Sequence, residues 1–116
     1  MAAETYVPDN RFAGGDEAAT TEITIASGQN LPALKPLGQV AATGEFKAWD
    51  PTANDGSQVA TRMTAAAVDT SAGAKKDQAY KSGTFNEAAV VWPDGVTAVQ
   101  KMVAFVGTPI STQMPG

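Results

Sequence analysis

Residues 80–109 constrain this chain more than any other stretch. They read Tyr80-Lys81-Ser82-Gly83-Thr84-Phe85, then Val91-Trp92-Pro93, then Ala104-Phe105-Val106-Gly107-Thr108-Pro109. Aromatics, glycines and a Trp-Pro step are concentrated there, without a histidine or a cysteine. Residues of this kind fix a shape and hold almost nothing that performs chemistry. The expected product is a well-defined surface.

At 116 residues the chain is the size of one domain. A domain of this length buries roughly two-thirds of its unfolded surface, which gives a modest core. Aromatics make up only 7% of the residues, and alanine supplies much of the apolar fraction. Small side chains each bury little area at about 25 cal/mol per Å². Such a chain is expected to be marginal alone and to gain stability by oligomerising.

No cysteine is present, so disulfides and thiolate metal sites are excluded, which fits an intracellular product. No histidine is present either, which removes the commonest metal ligand and the one side chain titrating near neutrality. The net charge of −4 argues against a nucleic-acid partner, because phosphate binding needs clustered Lys and Arg. Lys75-Lys76, followed at once by Asp77, reads as a solvated loop. The opening Met1-Ala2-Ala3-Glu4 lacks the basic and apolar regions of a signal peptide. No apolar run approaches the ~20 residues of a membrane span, so a soluble chain without a membrane partner is expected.

Residues 1–21 read as a flexible N-terminal arm, and residues 22–116 as a single domain. In the arm, Tyr6, Val7 and Phe12 are isolated among Glu4, Asp9, Asp16, Glu17 and a Gly14-Gly15 pair. The residues alone favour a disordered terminus, although Thr5-Tyr6-Val7 has the strand propensity of an arm that orders on a partner. Glu22-Ile23-Thr24-Ile25-Ala26 alternates in period two and predicts a strand. Pro32 and Pro36 deny residues 31–37 a helical or central-strand role, so the segment should run extended with its leucines docked. A hairpin is expected from Gln39-Val40-Ala41-Ala42 through a Thr43-Gly44 turn to residues 45–49. Asp50-Pro51-Thr52-Ala53-Asn54-Asp55-Gly56 is a turn-rich loop.

Residues 59–68 suit a helix by their alanines and a strand by their Val, Thr and Met pattern, with the strand preferred. Residues 78–82 predict a strand ending at Gly83, where glycine marks a bulge or a close backbone approach. Asn86 is placed to cap a short helix through Val90, stopped by Pro93. Asp94 is placed to cap a second. There Val96, Val99, Met102, Val103 and Val106 form an apolar stripe opposite Gln100 and Lys101, which reads as core packing. The tail from residue 108 should run extended.

Chemical motifs come near and miss. Lys81-Ser82 would need glycines at positions 75 and 80 to form a phosphate loop, but these are Lys75 and Tyr80. Asp50, Thr52 and Asn54 resemble the start of a calcium loop, yet Asp55 stands where glycine is needed and Thr61 where glutamate is needed. No Ser-His pair or Gly-x-Ser-x-Gly elbow exists. Asp16-Glu17 lies in the arm, where catalytic geometry could not be held. The sequence therefore predicts neither an enzyme nor a cofactor or metal site.

Two blocks carry a family resemblance. One is Tyr80-Lys81-Ser82-Gly83-Thr84-Phe85 with Trp92-Pro93 and Ala104-Phe105-Val106-Gly107-Thr108-Pro109-Ile110-Ser111. The other is Pro32-Ala33-Leu34-Lys35-Pro36-Leu37 with Gly44-Glu45-Phe46-Lys47-Ala48-Trp49-Asp50. With these blocks the chain resembles the lambda-type phage head decoration (capsid-stabilising, or cement) proteins over residues 31–112. The resemblance implies a mainly β, β-clip-like compact domain with a few short helices and a flexible arm, assembled as a homotrimer. It also implies a structural role: trimers on the outside of the expanded head, at three-fold and pseudo-three-fold positions, holding it against internal DNA pressure. The partners implied are the phage major capsid protein and the chain itself.

The resemblance reverses the reading of the arm, which becomes a segment that orders on the shell by strand addition. Thr5, Tyr6, Val7 and Phe12 are its expected contacts. Trp49, Phe85, Trp92 and Phe105 are expected as core or trimer-interface anchors. Two departures stand out. Where relatives have Asp-Pro-Ala-His-Thr, this chain has Asp16-Glu17-Ala18-Ala19-Thr20. Arg62 falls in a run that is more apolar in relatives, and is expected to face solvent or a neighbouring subunit. The alternative function is a monomeric β-rich module binding carbohydrate or a receptor, whose signature would be an exposed Trp49 or Trp92.

Overall fold

The computed structural model describes residues 18–113. Eight strands, one α-helix and one 3-10 turn follow in the order β1 (Ala19–Ile25), β2 (Asn30–Leu31), β3 (Pro36–Gln39), β4 (Phe46–Ala48), β5 (Ala60–Thr64), β6 (Val68–Asp69), β7 (Lys75–Asn86), the 3-10 turn Glu87–Ala89, α1 (Ala98–Val103) and β8 (Ile110–Gln113). Six strands form one sheet in the order β1-β4-β3-β5-β7-β8, and β1 also pairs with β7. That extra pairing closes five strands into a barrel-like ring, which removes most exposed strand edges. β2 and β6 form a separate antiparallel pair. The mainly β expectation holds.

Period-two alternation explains β1: Ile23 and Ile25 turn inward while Glu22 and Thr24 do not. The strand begins at Ala19, so Ala19, Thr20 and Thr21, read from sequence as arm, pair with Ser82, Tyr80 and Ala79 of β7. β7 is longer than expected at both ends. Lys75 and Lys76 are strand residues opposite Ile25 and Thr24, not a loop. At the far end the strand runs through Gly83 to Asn86. Gly83 sits at φ 132°, and a Cβ there would lie 3.1 Å from the Ala18 Cβ. The expected close approach is present without ending the strand. The preferred strand reading of residues 59–68 also holds, as β5 and β6.

The proline segment departs from expectation. Leu31, Leu34 and Leu37 are buried as predicted. Pro36, however, opens β3, which lies inside the sheet between β4 and β5. As the first residue of the strand, Pro36 need only accept, and its carbonyl takes the Trp49 N–H at 2.9 Å. The hairpin is correspondingly displaced: β3 pairs with β4 through Leu37–Ala48, Gly38–Lys47 and Gln39–Phe46, and Ala41, Ala42 and Thr43 belong to the turn. Burial decides the register, because Leu37 is fully buried while residues 41–44 are exposed. Gly38 is required by a neighbouring loop, since a Cβ there would run into the Ser57 carbonyl.

Two apolar clusters result. One gathers Ile23, Ile25, Leu31, Leu37, Phe46 and Val68. The other holds most of the aromatic area, in Trp49, Tyr80, Phe85 and Phe105 with Leu34 and Met63. Two buried threonines tie loops to this body. The Thr70 hydroxyl donates to the Ala26 carbonyl at 2.5 Å and accepts from the Gln29 N–H at 2.8 Å. The Thr64 hydroxyl donates to the Pro32 carbonyl at 2.6 Å and accepts from the Lys35 N–H at 2.8 Å.

Replacing Thr64 by Val keeps the shape and removes both bonds. Leaving buried partners unsatisfied costs about 1–3 kcal/mol. Denaturant unfolding of Thr64→Val should therefore show a lower midpoint with an unchanged slope. A midpoint equal to wild type would show that the proline segment is held by other means.

Candidate interaction surface

The segment after β7 builds the most unusual part of the surface. Asn86 caps the 3-10 turn as predicted, its side-chain oxygen accepting the Ala88 N–H at 3.0 Å. α1 is capped by Thr97 rather than by the expected Asp94. Thr97 and Gln100 form a capping box, with the Gln100 N–H donating to Thr97 Oγ1 at 3.0 Å and the Thr97 N–H to Gln100 Oε1 at 2.8 Å. The reciprocal bond satisfies two helix-end donors at once, which a cap three residues earlier could not do for this helix.

The stripe expected to pack into the core does not. Val96 packs against the aromatic cluster, but Val99, Met102, Val103 and Val106 are 66%, 79%, 56% and 71% exposed. Gln100 and Lys101, expected to be opposite and outside, are half-buried instead. The causes are local. Gln100 is occupied by the cap, and Lys101 places its ammonium 5.6 Å from the Trp92 ring centroid. The body is then reached just past the helix, where Phe105 adopts φ 66° and is buried to 2% exposure. A bulky residue in the left-handed region stores strain of about 1–3 kcal/mol. Burial of the Phe105 ring offsets it, and the turn leaves Val103 and Val106 outside.

The expected aromatic anchors are brought together beneath this ridge. Trp49, Phe85 and Phe105 are buried, and Trp92 is half-buried against the same cluster. Trp49 and Trp92 meet edge-on at 6.1 Å, and the Tyr80 and Phe85 rings lie tilted with centroids 5.0 Å apart. Each indole N–H is used, Trp49 donating to the Gln58 carbonyl at 2.8 Å and Trp92 to the Glu87 carbonyl at 3.1 Å. With Trp49 only 4% exposed, it cannot serve as a sugar-stacking platform. Thr5, Tyr6, Val7 and Phe12 lie outside the described residues. Arg62 is half-buried, its guanidinium carbon 5.8 Å from the Phe46 ring centroid and its Nη1 donating to the Thr61 carbonyl at 2.9 Å.

Val59, 53% exposed, extends the ridge, and with Val103, Phe105 and Val106 it lines a cleft of about 230 Å³ beside Trp49. Nothing in the sequence flagged Val59, which shares its local pattern with buried Ala60 and Met63. A second cleft of about 250 Å³ separates Trp49 and Pro51 from Pro93 and Gln100. Asp50 and Asp94 supply its charged lining, and Lys47 pairs with Asp55 of the loop beyond Asp50. Asp50 Oδ1 accepts from the Thr52 hydroxyl and N–H, which lowers its carboxyl below the usual range. The Lys47 ammonium 2.7 Å from Asp55, with the Ser57 hydroxyl, holds the Asp55 carboxyl far below that range. Among the described residues, no three His, Cys, Asp or Glu gather as a metal site.

These features define a small closed β body that carries a bare apolar ridge over its aromatic cluster. Sequence comparison gives that class a family. The family profile described as bacteriophage lambda head decoration protein D matches residues 4–112. A head decoration protein of Enterobacteria phage P21 is 32% identical over 100 residues, which span 86% of this chain and 83% of that protein. The chain belongs to the lambda-type head decoration family, and is thus a structural virion protein that decorates the phage capsid.

The Asp55 cluster predicts an acid limb to stability. A carboxyl depressed on folding contributes stability that is present above its unfolded value of about 4 and lost as pH falls further. Unfolding free energy should fall below about pH 4, and less steeply in Asp55→Asn than in wild type. Parallel pH profiles for the two proteins would show that the Lys47–Asp55 contact does not form in solution.

Proposed function

We propose that the chain assembles as a homotrimer with a β-clip-type body. The trimer binds the outside of the expanded phage head at three-fold and pseudo-three-fold positions and stabilises it against internal DNA pressure. The observation that carries this reading is the reach of the family match. It begins at residue 4, well ahead of β1, so the arm belongs to the shared pattern along with the body. The partner is the major capsid protein. Thr5, Tyr6, Val7 and Phe12 contact it as an added strand, in which main-chain hydrogen bonds give affinity and alternate side chains give specificity.

Three arms on one trimer bind as a unit. Once one engages, the other two meet their sites at high effective concentration, so modest single contacts yield tight attachment. The net charge of −4 supports a place outside the shell, away from DNA phosphate. The aromatic cluster gives the body its rigidity, and no catalytic step is assigned to it.

Co-sedimentation with expanded and unexpanded shells tests the proposal. The truncation should remove residues 1–17 only, because Ala19 begins β1. Full-length protein should pellet with expanded shells and not with unexpanded ones. The truncated protein should bind on the order of 100-fold more weakly, as expected when a multivalent attachment is lost. Equal binding by the truncated protein would overturn the role of the arm.

A further inference from the structure

We infer that the ridge of Val59, Val99, Met102, Val103 and Val106 is the face by which copies of this chain hold one another, with Met102 of one copy seated in the cleft of the next. The inference rests on the homotrimer proposed above and specifies its contact surface. Exposed apolar residues are ordinary when scattered, but four of these five fall within residues 99–106. Together they present a patch of roughly 300–600 Å², the size of the largest apolar patch on a typical soluble monomer, which is often functional. A stable interface takes about 800 Å² from each partner, so the ridge would supply most of its apolar centre.

The choice of a second copy as occupant comes from charge and shape. The chain carries 12 Asp and Glu, and none lies between residues 95 and 113. Two copies of net charge −4 repel over most approaches, and this stretch, with Lys101 its one charge, is where they can meet without like-charge opposition. The surface is also complementary to itself. Met102, at 79% exposure, is an unbranched and adaptable knob. The cleft of about 230 Å³ between Val59 and Val106 is large enough to receive it and apolar enough to match. Knob and cleft are different residues, so Met102 of one copy can fill the cleft of the next while its own cleft receives a third copy, and such head-to-tail contacts close into rings when the rotation permits. The left-handed turn at Phe105 holds Val103 and Val106 at the rim of the cleft instead of letting them fold inward.

Sedimentation equilibrium of wild type, Met102→Glu, Val106→Glu and the neutral Met102→Gln tests this directly. Ala72→Glu serves as the control, because it adds the same charge in the exposed turn before Lys75, at the opposite end of β7 from α1. The glutamate variants should dissociate at concentrations at least tenfold higher than wild type, Met102→Gln by less, and the control should match wild type. Near-UV circular dichroism from the Trp49–Trp92 pair reports whether each variant keeps its fold. A second readout needs no variant: in assembled wild type, peroxide should oxidise Met102 as slowly as buried Met63. Folded variants that assemble like wild type, with Met102 freely oxidised, would overturn the inference and leave the trimer proposal standing. Variants that assemble normally but no longer bind expanded shells would also overturn it, giving the ridge to the capsid protein. A wild-type chain that is monomeric at all concentrations would remove the trimer reading and this inference together.

Discussion

The structure depends on how a segment with two prolines is fastened to the barrel. Thr64 does this. Its hydroxyl bridges the Pro32 carbonyl and the Lys35 N–H, and its own N–H and carbonyl bond Lys35 and Leu34. Leu34 is thereby held at φ 62°, a conformation a leucine rarely adopts, with its side chain in the aromatic cluster. Its carbonyl accepts the Val91 N–H at 2.9 Å, which anchors the chain just before Trp92. One buried threonine thus connects β5, the proline turn and the start of the segment that carries α1.

What the sequence revealed and what it concealed follow from the range of each interaction. The inward-facing half of β1, the 3-10 turn after Asn86 and the docking of Leu31, Leu34 and Leu37 were legible, because alternation, capping and apolar spacing act within a few residues. The position of Pro36 was not. Proline excludes the middle of a strand through its missing N–H, but says nothing against opening one, and only the pairing of β3 with two neighbours reveals that. Lys75 and Lys76 misled for a similar reason: charged residues suit a solvated loop and the exposed end of a long strand equally well. The left-handed conformations of Leu34 and Phe105 left no local trace, since both are imposed by distant burial.

The ridge is the most instructive case. A helical period of apolar residues identifies a face that seeks cover, but not whether the cover comes from the same chain. Val99, Met102, Val103 and Val106 give the pattern of a core helix, and the body turns that face outward because Gln100, Lys101 and Phe105 are engaged locally. The family blocks behaved differently. They mapped to the parts of the fold that hold the aromatic cluster together, so they reported on architecture more than on contact.

That distinction bears on where binding energy can come from in an alanine-rich chain. Trp49, Phe85 and Phe105 are almost wholly committed to the fold and have little area left to contribute to a partner. Among the described residues, the valines and methionine of the ridge are therefore the main apolar area left for a partner. A ridge on a capped helix is already ordered, so covering it costs little conformational entropy per unit of apolar area buried. Attachment as the added strand proposed above would instead tie affinity to the state of the partner surface that receives it. A pre-formed contact suits a union meant to be permanent, and an added strand suits one that must wait for its site to appear.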